Sequence, residues 1–174
     1  MHMKRYFPGI AALIVIIALC AIPASAAYAH NESIWSSSHN QFVYEGTESN
    51  LISRYHYNNA FNLIVKPGVN VILQTPFTAP YNRDGINLKA RYLYFSLEMP
   101  VGVNVTHVAI ANGHTTIYTR DVNWAGTGDA KVYTLNMGAW YNVNRGINAN
   151  MNIVNSLGSN QNVQSYGAGV KLEW

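Results

Sequence analysis

After residue 30, apolar and polar residues alternate with a period of two over several stretches of the chain. In 147–153 the odd-numbered positions are apolar and the even-numbered positions are asparagine. A second stretch has one apolar face, formed by Leu93, Phe95, Leu97 and Met99, and one polar face, formed by Tyr92, Tyr94, Ser96 and Glu98. Alternation over seven or more residues is typical of a strand with one buried face. The pattern predicts half-buried strands and places Leu93, Phe95 and Leu97 in the core.

Turn residues interrupt this alternation at short intervals. Asn112-Gly113 separates two β-rich segments, and Asn-Gly is the strongest short signal for a two-residue hairpin turn. The apolar parity changes between Val105 and Val108, which predicts a bulge near Thr106-His107. No stripe with a helical period of 3.6 follows residue 30. The spacing of the turns predicts eight to ten strands, and we expect an all-β domain built as one antiparallel β-sandwich or jelly roll.

The first 29 residues have the composition of a secretory signal peptide. Lys4 and Arg5 form a positive start, residues 9–22 are almost wholly apolar, and small residues follow. The apolar run is short for a membrane span, although an uncleaved anchor helix is the alternative. We therefore predict a signal peptide over 1–29 and a secreted, extracytoplasmic β-sandwich domain over 30–174.

Cleavage after Ala26 or after Ala29 satisfies the small-residue rule equally well. Either cut removes Lys4 and Arg5, and losing these two charges lowers the formal net charge from +3 to +1. The remaining bases are scattered among acids and form no patch that could follow a phosphate backbone, which argues against nucleic acid as a partner. Because Cys20 is the only cysteine and lies in the apolar run, the predicted domain is cysteine-free and folds without a disulfide.

Four segments occur in a characteristic order: TPFTAP, ARYLYFSLEMPVGVNVTHVAIANG, RGINANMNIVN and SYGAGVKLEW. In this order they resemble a β-sandwich domain family of unknown function, in which a proline-flanked strand and a hairpin precede a closing strand of small residues. The resemblance covers roughly residues 60–174. It implies a sandwich fold and carries no catalytic residues to this chain.

The acidic residues do not form a catalytic pair in the sequence. The predicted domain contains Glu32, Glu45, Glu48, Asp84, Glu98, Asp121, Asp129 and Glu173. No two of them share a motif of the kind that acid–base catalysis uses. The chain also lacks a G-x-S-x-G nucleophile turn and a glycine loop that could hold a phosphate. We therefore predict that the domain is not an enzyme.

Three aromatic residues are candidates for binding sugars. Trp124, Trp140 and Tyr141 lie in asparagine-flanked segments that resemble loops. Exposed aromatic rings stack on sugar rings, and asparagine amides both donate and accept hydrogen bonds with hydroxyl groups. The alternative is that these rings cap the ends of the sandwich core.

The histidines offer a second kind of site. Cleavage after Ala29 would make His30 the first residue, so that its free amine and its imidazole could both bind copper. A further imidazole would have to come from His39, His56, His107 or His114. Because these histidines have no diagnostic metal-binding spacing, we predict no cofactor and keep copper at His30 as the alternative.

Two more features concern the surface of the domain. Asn31 and Asn104 begin N-x-S/T sequons and are candidate glycosylation sites. The last strand alternates Tyr166, Ala168, Val170, Leu172 and Trp174. Ending in an aromatic residue is also typical of outer-membrane barrels, which leaves a small barrel as an alternative.

Together these features predict a secreted, asparagine-rich, non-enzymatic module. Its function is to bind a partner or to serve as a structural protein of the cell surface or the extracellular space. The expected partner is an extracellular glycan or another envelope protein, and the assembly state stays open. The alternatives are a lectin-like carbohydrate-binding domain, a copper protein that uses His30, and a small outer-membrane barrel.

Overall fold

The chain forms two antiparallel β-sheets packed face to face. The computed structural model describes residues 31–77, 82–83 and 85–174. The strands are β1 (Asn31–Ser37), β2 (Phe42–Val43), β3 (Leu51–Tyr57), β4 (Ala60–Val65), β5 (Asn70–Phe77), β6 (Asn82–Arg83), β7 (Ile86–Asn87), β8 (Lys89–Glu98), β9 (Val103–Asn112), β10 (Thr115–Ala125), β11 (Ala130–Asn142), β12 (Ile147–Asn155) and β13 (Gln161–Glu173). Two 3₁₀ helices, Ser38–Asn40 and Glu45–Asn50, lie among the first strands.

One sheet has six strands and the other has five. The six-stranded sheet has the order β11-β8-β13-β4-β3, and β1 also pairs with β13. Strand β13 serves two neighbours on one side, because residues 161–165 pair with β4 and residues 167–173 pair with β1. The five-stranded sheet has the order β10-β9-β12-β5-β2, and β6 pairs with β7 in a separate small sheet.

These sheets confirm the predicted antiparallel sandwich. The two main sheets contain more strands than the eight to ten that the turns predicted. One strand that the sequence pattern does not predict is β2, which has only two residues and is too short to show alternation. The predicted signal peptide and His30 lie outside the described residues, and no helix within those residues is long and apolar enough to cross a membrane.

The core lies between the two sheets and contains the residues that alternation placed there. Leu93, Phe95 and Leu97 are each fully buried, which confirms their predicted position. From the other sheet, Phe77 meets Phe95 edge to face, with 6.2 Å between the ring centres. Burying a side chain of this size contributes about 1.5–3 kcal/mol, so a core built from many such residues can stabilise a domain that has no disulfide.

The β9–β10 hairpin forms one position later than its Asn-Gly pair suggested. Asn112 pairs with Thr115, so Gly113 and His114 are the turn residues. The Asn112 side-chain amide donates to the carbonyl oxygen of Asn142 at 3.2 Å, which holds Asn112 in the strand. Gly113 then has the positive φ of +61° that the turn requires.

The bulge predicted in β9 is confirmed. His107 pairs with Asn152 and Val105 pairs with Ile153, so Thr106 has no partner in β12. Because of the extra residue, the odd-numbered Val105 and the even-numbered Val108 both point into the core.

Candidate functional site

The outer face of the five-stranded sheet is a ladder of amide side chains. The Asn70 amide donates to the side-chain oxygen of Asn152 at 2.7 Å, and Gln74 donates to Asn150 at 2.8 Å. Asn152 in turn donates to the Thr106 hydroxyl at 3.0 Å. These polar groups form hydrogen bonds with one another across the strands. Much of the hydrogen-bonding capacity of this face is therefore already used within the protein.

The outer face of the six-stranded sheet has a different character because it is rich in aromatic rings. Leu93 and Phe95 point into the core, so their neighbours Tyr92 and Tyr94 point outward. Trp35 from β1 contacts Tyr94, and Trp140 from β11 contacts Tyr92. We call Trp35, Tyr92, Tyr94 and Trp140 the aromatic face.

Trp35 lies flat across the middle of this sheet. It is in register with Gly169 of β13, which is in register with Tyr94 of β8. A Cβ atom placed on Gly169 would be 2.8 Å from both Cδ2 and Cε2 of the indole and 3.2 Å from Cε3. Such similar distances mean that one face of the indole covers Gly169. Only a glycine leaves room for a ring this close to the backbone.

The other face of Trp35 is open to solvent. Trp35 is 52% exposed, which is high for a tryptophan that makes a ring contact. Its ring centre is 5.9 Å from that of Tyr94, and the two planes differ by 22°. The two nearly parallel rings therefore pack together on the outer face of the sheet and form one apolar surface.

Trp140 extends this surface towards β11. Asn136 pairs with Tyr92 and Tyr141 pairs with Ala90, so the residues between them form a wide bulge. The bulge includes Gly138, whose φ of +79° favours glycine. It brings Trp140 to Tyr92, with 6.4 Å between ring centres and an angle of 84° between planes.

The loop positions predicted for Trp124, Trp140 and Tyr141 are wrong, since all three residues lie in strands. Register shifts in β10 and β11 break the alternation that would have identified these strands. The Trp124 ring lies 5.6 Å from Phe95 and 5.4 Å from Tyr133, against the core. Tyr141 also packs against the core, 5.9 Å from the Tyr118 ring. Of the three candidates, only Trp140 belongs to the aromatic face.

Tyr166 lies on the same outer face, although alternation placed it with the buried residues of β13. Ser165 pairs with Leu97 and Gly167 pairs with Ser96, so Tyr166 is a bulged residue. Its hydroxyl donates to Glu98 Oε2 at 2.7 Å. This hydrogen bond, together with burial and the negative charge of Glu98, raises the pKa of Tyr166 above its ordinary value.

The histidines described by the structure make other contacts. The rings of His39 and His56 stack in parallel, 5.1 Å apart. His107 Nδ1 lies 2.7 Å from a carboxylate oxygen of Asp121. Among the described residues, no three His, Cys, Asp or Glu side chains are close enough to hold a metal ion. His30 lies outside these residues, so copper binding there stays a prediction.

The two candidate glycosylation sites lie in strands. Asn31 is the first residue of β1 and pairs with Glu173. Asn104 pairs with Ala125 and Val154, in the interior of the five-stranded sheet. Its neighbours Val103 and Val105 are buried, so Asn104 belongs to the outer face, where a glycan would meet solvent. Glycosylation at both sites stays a prediction.

Sequence reasoning missed Trp35, Tyr92 and Tyr94 as candidates. A usable signal was present in β8, where two tyrosines occupy the polar face of a strand whose other face is wholly apolar. Gly169 in the closing strand was a second signal, since glycine within a strand often marks the close approach of another group. The pairing of Trp35 with Gly169 depends on register between the two ends of the described chain, which local patterns do not contain.

The contact between Trp35 and Gly169 predicts that Gly169→Ala will destabilise the domain. The added methyl group would lie 2.8 Å from the indole, so the ring must lift from the sheet. We expect a loss of about 1–3 kcal/mol in the free energy of unfolding, measured in urea. In a Trp35→Ala background the same change should cost much less, because the clashing ring is gone. An equal loss in both backgrounds would contradict the contact.

Comparison with known proteins gives structural similarity only. No protein-family model matches the chain, and no curated protein matches it in sequence. Among solved structures, the chain is similar to a point variant of a family 29 carbohydrate-binding module, with a TM-score of 0.47, 10% identity, and coverage of 82% of this chain and 92% of that one. It is also similar to a family 29 module from Piromyces equi, with a TM-score of 0.46, 9% identity and coverage of 83% and 91%. Another variant, solved with cellulohexaose, has a TM-score of 0.45, 10% identity and coverage of 82% and 91%. A likeness of this size transfers neither a ligand nor binding residues to this chain.

Proposed function

We propose that this protein is a secreted, non-enzymatic binding module that holds a glycan on the aromatic face. The observation that carries the proposal is Trp35, whose indole covers Gly169 with one face although the residue as a whole is 52% exposed. A large apolar ring held in place by the protein, with a free face, can stack on the apolar side of a sugar ring. This observation favours the carbohydrate-binding alternative over a purely structural role.

The arrangement of the rings suits a chain of sugars better than a single sugar. Tyr92 and Tyr94 are two residues apart on β8, so their positions are separated by roughly 7 Å along the strand. Each is paired on one side with a second aromatic residue, Trp140 or Trp35. The aromatic face therefore offers apolar contact surface at two successive outward positions of β8, and an extended ligand could contact both.

Polar side chains stand beside the rings. Thr134 is in register with Tyr94, and Asn136 is in register with Tyr92. Both side chains are exposed at the edge of the sheet. Hydroxyl and amide groups donate and accept hydrogen bonds, so they can orient sugar hydroxyls while the rings supply apolar contact.

The positions of the acids that the structure describes on this face support binding without catalysis. Glycoside hydrolysis requires two carboxyl groups about 5–9.5 Å apart. On this face Glu98 is in register with Gln164, whereas Glu173 is in register with Lys89 at the other end of β13. The positions of Glu98 and Glu173 are therefore nine residues apart along the strands, a distance on the order of 25–30 Å. Glu98 also accepts a hydrogen bond from Tyr166.

A polysaccharide screen of the predicted domain, residues 30–174, tests this proposal. Affinity electrophoresis and quenching of tryptophan fluorescence, on a panel of soluble neutral and acidic polysaccharides, should identify at least one that slows migration and quenches emission. Sugar stacking on an exposed indole changes its environment, so both signals should saturate together. Absence of binding across the panel would contradict the proposal and favour a structural role.

A further inference from the structure

Two cationic side chains converge at one end of the aromatic face. The guanidinium carbon of Arg91 is 5.3 Å from the centre of the Tyr92 ring, and Lys171 Nζ is 5.9 Å from the same centre. Lys171 is directly in register with Tyr92 and is two residues from Gly169, the residue that Trp35 covers. The two charges therefore border the surface on which we propose that sugars stack.

Within the part of the chain that the structure describes, neither cation has an ion-pair partner. The ion pairs found there are Arg54 with Glu48 and His107 with Asp121. The Nε–H group of Arg91 is buried and has no hydrogen-bond partner among the described residues. A guanidinium or ammonium group that is partly desolvated and unpaired gains more from an anion than a fully solvated one does.

The acids nearby do not cancel this positive charge. Glu173 is the next outward residue of β13, and it is in register with a third base, Lys89. Glu32 pairs with Leu172, so it lies on the opposite side of β1 from Trp35. Glu98 is at the far end of the sheet, where the Tyr166 hydroxyl donates to it. Counted over the side chains that the structure describes, the Lys171 end of the face therefore has an excess of positive charge.

We infer that the ligand of the aromatic face is an acidic glycan whose sugars carry carboxylate or sulfate groups. This inference rests on the proposed function and adds the ligand class. A sugar stacked beside Tyr92 places its ring substituents near Arg91 and Lys171. A negative substituent there forms charge-assisted hydrogen bonds, and a neutral hydroxymethyl group forms weaker ones.

The test compares matched ligands that differ only in charge. Calorimetry is performed with a uronic acid oligosaccharide and with its carboxyl-reduced neutral form, and then with a sulfated oligosaccharide and its desulfated form. We expect at least one acidic form to bind about tenfold more tightly than its neutral form in 50 mM salt. The preference should fall in 0.5 M salt because the contacts are partly exposed to screening. The pair that shows the preference identifies the acidic group.

Lys171→Gln and Arg91→Gln should each reduce the preference, because each change lowers the affinity for the acidic form more than the affinity for the neutral form. Lys131→Gln is the matched control, because Lys131 also lies over a tyrosine, 5.4 Å from the Tyr133 ring, but belongs to a different part of the sheet. Thermal melting checks that each variant folds. Equal binding of acidic and neutral forms would overturn the inference and leave the proposed function standing. A preference that survives Lys171→Gln and Arg91→Gln would also overturn it. Failure to bind any glycan would overturn both.

Discussion

Replacing Phe95 by alanine is expected to lower the free energy of unfolding by about 3–5 kcal/mol. Phe95 is fully buried between the sheets, where its ring contacts Phe77 and Trp124, both from the five-stranded sheet. Removing the ring loses its transfer free energy and leaves a cavity that rigid strands cannot fill. Urea unfolding followed by fluorescence measures the loss.

The control for this change is the neighbouring residue on the same strand. Tyr94 faces outward, and its ring contacts Trp35 on the surface. Tyr94→Ala should therefore destabilise the domain by clearly less than Phe95→Ala. Small domains have a total stability of about 5–15 kcal/mol, so Phe95→Ala should also unfold a measurable fraction at elevated temperature. A Phe95→Ala variant as stable as the parent would show that the wrong face of β8 has been assigned to the core.

Replacing Trp35 by alanine is expected to remove most of the affinity for the glycan found in the screen. Tryptophan side chains at the centre of a binding surface commonly contribute about 2 kcal/mol or more, which corresponds to roughly a thirtyfold loss. The fold should survive, because Trp35 is half-exposed on the outer surface of the sheet and is not part of the core between the sheets. Calorimetry measures the affinity, and circular dichroism confirms the sheet content.

The control for Trp35→Ala is an exposed aromatic residue on the opposite sheet. Phe42 in β2 is 46% exposed and is in register with Gln74 of the five-stranded sheet. Phe42→Ala should leave glycan affinity unchanged. If the two variants lose affinity equally, binding does not depend on the aromatic face. If Phe42→Ala alone loses affinity, the ligand lies on the five-stranded sheet.

The fold was largely predictable from sequence because strand burial imposes a strict period of two. Leu93, Phe95 and Leu97 follow that period and are buried as expected. Prediction failed where bulges shift the period. Trp124 and Trp140 were assigned to loops because β10 and β11 contain register shifts. Alternation grouped Tyr166 with Ala168 and Val170, but the bulge between Ser165 and Gly167 places Tyr166 on the outer face.

The candidate site was less predictable because it depends on long-range register. Stacking of Trp35 on Gly169 and Tyr94 requires β1, β13 and β8 to lie side by side with a fixed alignment. The sequence pattern of each strand is ordinary when taken alone, and it does not show which strands lie beside it. The idea of aromatic stacking on sugar was accessible from composition, whereas the choice of rings required the paired strands.

The most direct test of the account is to follow the indole N–H signals in a ¹H–¹⁵N NMR titration with the glycan. The chain has four tryptophans, and Trp35, Trp124 and Trp140 each report on a different position. Single tryptophan-to-phenylalanine variants assign the signals. We predict that the signals of Trp35 and Trp140 shift as the glycan is added, while the signal of Trp124, packed between Phe95 and Tyr133, does not. A titration in which the Trp124 signal shifts and the Trp35 and Trp140 signals stay fixed would contradict binding on the aromatic face.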